Sequence, residues 1–500
     1  MALVDEIEEI AKRRGFFWLS QEIYGGVSGF YDYGPLGALL KQNIEKLIKE
    51  HYLQEEKCLM IEAPTLTGID PWVASGHVES FTDMTIECGK CGEAYRADHL
   101  VEEHLKVKTE GKQANEIQDM IETNKIKCPK CSGILSKVYD YNLMFKTYIG
   151  PGKTKLEAAL RPETAQTTYM PFKRLFEIGR KKLPLGVMQI GKSFRNEISP
   201  RKALVRLREF TQAEIQFFVN PKEKNEWDIS KVKDVEALVL TKQDQKKDGK
   251  PKKMAISDLV GKRLTNRMVA YFLAVSLLLY KKMGLDAKKL RLRQHKDNER
   301  SFYSSDTWDV EFMSEKYGRI ELVGVADRTD YDLKRHQELS KQSMEVSVDG
   351  EKFIPHVIEI AYGIDRPLLC ILESCIRQDG DRTYFSFPPS VAPYQAAVFP
   401  LVNKDGLPEK ACEIYGMLRK KFLCLYDVSG SIGKLYYRQD EAGTAYCITV
   451  DYDTLKDNTA TIRERDTKKQ VRVFVKNLAG IIEKLTNGEI NFEDAGKAIK

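Results

Sequence analysis

The stretch that most constrains this chain is residues 189–219, QIGKSFRNEISPRKALVRLREFTQAEIQFFV. Two segments of strand character, 188–194 and 212–218, flank a loop full of Pro, Arg and Lys, which predicts an antiparallel pair joined by a charged connection. Arg195 and Glu197 leave the first segment, and Arg208 and Glu209 open the second. Arginine forks and carboxylates facing each other across such a pair suit a ligand that is anionic at one end and donor-rich at the other, as an adenine nucleotide is. The alternative is a surface hairpin laced with ion pairs.

Five hundred residues exceed what one core organises, so two or three domains are expected. A net charge of +6 is compatible with nucleic acid but does not argue for it. The acidic, amphipathic N-terminus has no apolar core of signal-peptide type. The most apolar run, 268–280, is too short to span a bilayer and is followed by Lys281 and Lys282, so it reads as a buried helix. A cytoplasmic protein with no membrane association is expected. Of ten cysteines, four form two C-x-x-C pairs, Cys88/Cys91 and Cys128/Cys131. Paired knuckles of this kind place four thiolates for tetrahedral zinc, and four cysteines close the site, so the metal is structural. Cys58, Cys370, Cys375, Cys412, Cys424 and Cys447 stand alone in apolar surroundings and read as reduced core residues.

Along the chain, helices are expected over 4–14, 36–52, 114–124 and 264–283, and a strand over 58–68 that stops at Pro64. Residues 70–83 read as a loop, in which His77 is either a hydrogen-bonded loop histidine or a ligand or base. Glu163 follows the bend at Pro162 and either caps the helix after it or faces a cationic ligand. Residues 221–262, with KQDQKKDGKPKK at their centre, read as an insertion with a solvated tip or a contact to phosphates. Glu321, Asp327 and Arg328 lie on a half-buried strand and serve either a magnesium–phosphate ligand or strand-edge salt bridges. Arg366 sits in the first turn of a helix after the Gly363 break, where a cation serves a ligand better than it serves the helix dipole. Beyond Phe387-Pro388-Pro389, alternating strands and helices predict an α/β domain with a mostly parallel sheet.

Together these residues resemble a class II aminoacyl-tRNA synthetase, specifically the dimeric glycyl-tRNA synthetase family of archaeal and eukaryotic type. The strand ending at Pro64 with its preceding helix looks like the first class II motif, Phe194-Arg195-Asn196-Glu197 through Arg208-Glu209-Phe210 like the second, and Gly363-Ile364-Asp365-Arg366 like the third. Between them stand the family-specific stretches SGFYDYGPLGA, RPETAQ, QAEIQFF and ELVGVADR, and beyond them SIGK and RERDT. The resemblance implies an α+β catalytic domain with a mainly antiparallel class II synthetase sheet, an inserted zinc-binding module and a C-terminal α/β anticodon-binding domain. The implied divisions are 1–87 as the N-terminal part of the catalytic domain with the dimer-forming first motif, 88–139 as the zinc module, 140–220 as core with the second motif, 221–262 as the lysine-rich insertion, 263–386 as core with the third motif, and 387–500 as the anticodon-binding domain.

The implied activity is ATP-dependent activation of glycine and its transfer to glycine tRNA by a homodimer, with Mg²⁺ accompanying ATP and a structural Zn²⁺. Arg195, Arg366 and Glu321 would be catalytic: Arg195 on the α-phosphate, Arg366 on the γ-phosphate, Glu321 on magnesium with Leu322 alongside. Glu197 would accept from the adenine amino group and Phe210 would stack on the ring. Asn196, Val205, Arg206, Leu207, Arg208, Glu209, Arg328 and Gly363 would complete the ATP site. Glu163, Glu214 and Glu359 would surround the glycine ammonium. Arg96, Phe210, Thr211, Gln212, Ala361 and Gly363 would complete that pocket, Arg96 reaching in from the zinc module. Where the family has a serine, this chain has Ala361, leaving Tyr362 or a water to replace its hydroxyl. Arg201 and Lys202 would neighbour the tRNA acceptor end, and Lys434, Arg463 and Arg465 would read the anticodon. The competing functions are a class II synthetase for another small amino acid and a non-catalytic tRNA-binding paralogue.

Overall fold

The computed structural model describes residues 6–109, 111–200, 203–247, 249–299 and 304–499. Nine strands form the central sheet: β1 (Leu59–Ile61), β2 (Leu185–Phe194), β3 (Glu209–Val219), β4 (Glu236–Leu240), β5 (Lys252–Ala255), β6 (Leu290–Gln294), β7 (Asp306–Ser314), β8 (Gly318–Thr329) and β9 (His356–Gly363). Their spatial order is β5-β4-β6-β7-β8-β9-β3-β2-β1. The pairs β4/β6 and β1/β2 are parallel and every other neighbouring pair is antiparallel. The sheet is thus mainly antiparallel, and the 189–219 stretch supplies β2 and β3 near its centre.

One face of this sheet is apolar. The helix Arg267–Lys282, capped by Asn266, whose side chain accepts from the Val269 amide at 2.9 Å, lies against it. Phe272 stacks on Phe217 of β3 at 4.6 Å, and helices Pro35–Glu50 and Asp365–Cys375 complete the same core. This is the buried helix read from 268–280. The opposite face carries the polar residues of β3, β8 and β9.

Several of the expectations need correction. Residues 70–83 are not a plain loop: Asp70–Ala74 and His77–Ser80 are short helices, the first opening on Pro71. The strand 58–68 is divided at Pro64, with Leu59–Ile61 in the central sheet and Leu66–Gly68 pairing with Leu156–Leu160 in a separate three-stranded sheet. The lysine-rich 221–262 is not only a solvated tip, because β4 and β5 extend the central sheet, with Val239 and Leu240 buried. Cys412 is exposed and Cys424 partly so, whereas Cys58, Cys370, Cys375 and Cys447 are buried as expected.

The inserted module packs helices Ala97–Leu105 and Ala114–Thr123 on a sheet of Ala94–Arg96, Thr82–Glu87 and Tyr139–Asn142, around Ile86, Leu100, Val101 and Ile117. The C-terminal sheet runs Cys424–Tyr426, Ala396–Pro400, Tyr446–Val450, Thr459–Glu464, Gln470–Phe474 and Lys497–Ala498. Its first three strands are parallel, as the alternating strand–helix pattern predicts. The rest pair antiparallel, with Thr459–Glu464 and Gln470–Phe474 forming a hairpin across a short turn. The sheet is therefore mixed rather than mostly parallel.

Candidate active site

Strand periodicity places the site residues. Successive side chains alternate faces, so β9 gives Ile358, Ile360 and Tyr362 to the core while Glu359, Ala361 and Gly363 line a cavity on the other side. Likewise β3 buries Ala213, Ile215 and Phe217 and offers Phe210, Gln212 and Glu214. In β8, Gly324, Ala326 and Arg328 share the cavity face. A bulge, in which Val310 pairs with Val323 but Glu311 pairs with Glu321, shifts the register by one and brings Glu321 to the same cavity.

The register makes one row across five strands: Gln189, Glu214, Ala361, Gly324, Asp309. Two small residues thus separate two carboxylates by three strand spacings, about 14 Å. A Cβ built on Gly324 would meet nothing closer than 3.8 Å, and the same holds at Gly363, so packing does not demand glycine there. What the missing side chains leave is floor space in a cavity of about 280 Å³.

One end is acidic, and its carboxylates are hydrogen-bonded. Glu214 accepts from Thr164 Oγ1 at 2.7 Å and Gln212 Nε2 at 2.9 Å. Glu359 accepts from Gln216 Nε2 at 3.1 Å and pairs with Arg328 Nη1 at 3.1 Å. Glu163 accepts from Gln166 Nε2 at 2.9 Å and faces His77 Nε2 at 3.4 Å. It makes no helix cap: Thr164 occupies the cap position, and the Glu163 side chain turns to its two partners instead. Burial, reinforced by Glu359 and Glu163, pushes the Glu214 carboxyl up to about 8. Burial also raises Glu359, against the pull of Arg328. Burial acts the same way on Glu163, but His77 and Arg328 outweigh it and hold this group well below the usual carboxylate range. One carboxylate is therefore a preformed anion and another waits for a cation.

The far end is built for an anion and a base. Arg366 donates from Nε to the Val205 carbonyl at 3.0 Å and from Nη1 to the Glu321 carbonyl at 3.0 Å, which ties the loop before β3 to β8. Arg195 donates through Nε to the Pro162 carbonyl at 3.2 Å, and its guanidinium lies 5.3 Å from the Phe210 ring and 5.4 Å from that of Phe81. Glu197 Oε2 is buried without a hydrogen-bond partner among the described residues, with Arg206 Nε 3.6 Å away. Such an orphan acceptor on a cavity wall is what a bound donor would satisfy. His295 Nε2 and Asp309 Oδ2 are 2.7 Å apart. Burial and the nearby Glu321 push Asp309 up to about 7. Sequence reading missed this pair, as well as Gly324, Ala326 and Asp365, all of which line the cavity. A strand-period reading of 306–314 would have flagged Asp309, which is opposite in phase to the apolar Trp308 and Val310.

Several expected site residues have partners within the chain or line a neighbouring cavity. Arg328 lies among the carboxylates instead of at the phosphate end: its Nε and Nη2 bind Asp332 at 2.7 and 2.8 Å while Nη1 takes Glu359. Arg96 is held by Asp83 and Asp98 and lines an adjoining cavity of about 460 Å³, not the acidic end. Asn196 and Arg208 face a third cavity, bonded to the Tyr141 hydroxyl and the Ser28 carbonyl, and Glu209 pairs with Lys192 near the surface. Tyr362 cannot replace the missing serine hydroxyl, because it points into the core and bonds the Tyr52 hydroxyl at 2.9 Å and Ser276 Oγ at 2.7 Å. Arg201 and Lys202 lie outside the described residues.

Away from the cavity, the four Sγ atoms of Cys88, Cys91, Cys128 and Cys131 lie within 4.8 Å of one another. Cys88–Cys131 and Cys91–Cys128 are 3.5 and 3.7 Å apart, close to the ~3.8 Å edge of a tetrahedral zinc–thiolate site. A Cβ on Gly133 would come within 2.9 Å of Cys88 Sγ, so this knuckle requires glycine. The donor set fits a structural zinc ion. In the C-terminal domain, Lys434 is exposed, whereas Arg463 and Arg465 are buried with internal partners. Arg463 forms a fork on Asp440 at 2.9 and 3.1 Å, and Arg465 binds Asp466 and the carbonyls of Gly443 and Phe387. Asp440 also takes Arg382 at 2.7 Å, so these arginines fasten the C-terminal domain to the 376–387 segment.

Residues 395–485 match the family model described as the anticodon binding domain, and residues 148–247 match that of the tRNA synthetase class II core domain (G, H, P, S and T). The glycine–tRNA ligase of Methanococcus vannielii is 41% identical over 96% of this chain and 99% of its own length. That of Methanocaldococcus jannaschii is 42% identical over 96% and 98%, and that of Pyrococcus furiosus 41% over 96% and 99%. With the class II sheet, the acidic pocket and relatives matched along nearly their whole length, the chain belongs to the glycine–tRNA ligase family of class II synthetases.

Proposed function

We propose that this chain activates glycine with ATP to glycyl-adenylate and transfers the glycyl group to the 3′ end of glycine tRNA. The observation that carries the reading is the cavity's polarity: three buried carboxylates, Glu163, Glu214 and Glu359, at one end, and Arg195, Arg206 and Arg366 at the other. The glycine ammonium belongs at the first end, with its carboxylate toward the second. A glycine carboxylate oxygen attacks the α-phosphorus of ATP in line, and the bond to the bridging oxygen of pyrophosphate breaks. That step needs charge neutralisation and positioning more than a general base. Arg195 is assigned to the α-phosphate, Arg366 to the γ-phosphate, Phe210 to the adenine face and the orphan Glu197 to its amino group. Glu321, whose side chain is half exposed beside Arg366, is assigned to the Mg²⁺ that accompanies ATP and offsets phosphate charge.

Amino-acid-dependent pyrophosphate–ATP exchange tests the reading. Glycine should support exchange, while alanine, serine, proline and threonine should not; exchange with any of these but not glycine would reassign the substrate. Loss of tRNA charging but not of exchange on deleting 391–500 would support anticodon binding by the C-terminal domain, with Lys434 among its exposed cations. The homodimer is supported by exposed apolar residues that share one face of the Leu66–Gly68 sheet, Leu66, Ile149 and Leu156. Sedimentation showing a monomer at micromolar concentration would reject it. The cytoplasm is the proposed location; among the described residues no helix is long and apolar enough to cross a membrane.

A further inference from the structure

We propose that His77 is a positioning residue for the amino-acid substrate: its Nε2–H holds the Glu163 carboxylate in the place from which it meets the ammonium group. The inference rests on the reading of the acidic end as the glycine pocket.

His77 comes from the short helix His77–Ser80, some 85 residues before Glu163, and is 9% exposed. Its ring is fixed on every side. Trp72 and Phe81 pack at 5.6 and 5.2 Å, and Asn142 Nδ2 donates to its backbone carbonyl at 3.0 Å. Ser75 Oγ lies 2.8 Å from Nδ1, against 3.4 Å from the Trp72 carbonyl. A bare Nε2 lone pair would face the Glu163 carboxylate oxygen at 3.4 Å, so a ring proton sits on Nε2, and Ser75 Oγ, able to give or take a proton at Nδ1, braces the ring in that orientation. Second-sphere orientation of this kind fixes both the ring and the carboxylate.

The groups around Glu163 leave this task to His77. Arg328 of β8 is committed to Asp332 and Glu359. Glu359 of β9 and Glu214 of β3 carry charge of the same sign. Gln166 holds the other oxygen, and its amide is set by Asp332 Oδ1 at 2.9 Å and His336 Nε2 at 2.8 Å, both from the helix Tyr331–Ser340. Without His77, only the Arg328 charge and the Gln166 amide would oppose burial, so the carboxyl would hold its proton to higher pH.

The test is glycine-dependent pyrophosphate–ATP exchange from pH 5.5 to 8.5 with His77→Phe, His77→Gln and Ser75→Ala, alongside thermal melting. His77→Phe keeps the packing and removes the donor. It should raise the KM for glycine about tenfold or more, leave the KM for ATP unchanged and bring up into the range below about pH 6.5 a second, steeper acid limb of kcat/KM for glycine, distinct from the Glu214 limb near 8. His77→Gln, which restores an amide donor, should recover much of the loss. Ser75→Ala should shift the acid limb in the same direction by less. A purely structural role would lower the melting temperature without moving that limb. A folded His77→Phe enzyme with wild-type KM and acid limb overturns the proposal. If that variant does not fold, an unshifted limb in Ser75→Ala overturns it. Absence of glycine-dependent exchange in the wild type would instead remove the functional reading beneath it.

Discussion

Glycine binding should drive a proton off Glu214. In the empty pocket this carboxyl titrates near 8, against an ordinary value of 4.5, because it is buried beside Glu359 and Glu163. At pH 7 about a tenth of the molecules carry it ionised, and at pH 8.5 about three quarters. An arriving ammonium needs the ionised form, whereas the amino group of free glycine stays charged across this range. The kcat/KM for glycine should therefore rise roughly eightfold from pH 6.5 to 7.5 and about threefold more to 8.5, with the KM for ATP moving little. Calorimetry at pH 7 in two buffers of different ionisation enthalpy should report release of nearly one proton per glycine bound. Stability runs the other way. The folded chain keeps this proton up to about 8, while the unfolded chain loses it near 4.5, so the group's contribution is complete below 4.5 and is lost as pH rises through 8. Each pH unit between costs on the order of 1.4 kcal/mol. Glu214→Gln should flatten both dependences and weaken glycine binding at every pH. A flat glycine profile in the wild type, or buffer-independent binding heats, would show that Glu214 is already ionised and that the pocket is not built as argued.

Three further outcomes follow from the geometry. Metal analysis should find about one zinc per chain, and Cys128→Ser should lose the metal and the ordered packing of 82–142, a loss of several kcal/mol read by circular dichroism. Asp440→Ala should cost about 3–5 kcal/mol in thermal unfolding because it strands two buried arginines, and Arg463→Ala should lower the melting temperature; selective loss of tRNA affinity at unchanged melting would return Arg463 to RNA recognition. Gly324→Val should leave the melting temperature within a few degrees, since its Cβ has room and valine suits a strand, yet reduce exchange more than a hundredfold by filling the nucleotide floor; near-normal exchange would place the nucleotide elsewhere.

The two-residue period of 209–219 and 356–363 was legible, and it set which residues share a face. Applied strictly, it also rules Tyr362 out as a stand-in for the missing serine, since the residue after Ala361 must face the core. Register was not legible. Ala361 lies beside Gly324 only because β8 and β9 pair at that offset, and the bulge that brings Glu321 into line has no sequence mark. The arginines show a different limit. A guanidinium fork announces an anion but not which one, and a carboxylate of the same chain satisfies it as well as a phosphate does. Arg463 therefore found Asp440, and Arg328 found Asp332 and Glu359, where ligand contacts were expected. Burial decides between the two cases. Arginines 2–6% exposed have already exchanged water for internal carboxylates, and moving them to a ligand would strand a buried charge. Arg366 is still 37% exposed and anchored mainly by carbonyls, which leaves its positive charge largely unneutralised for an incoming phosphate.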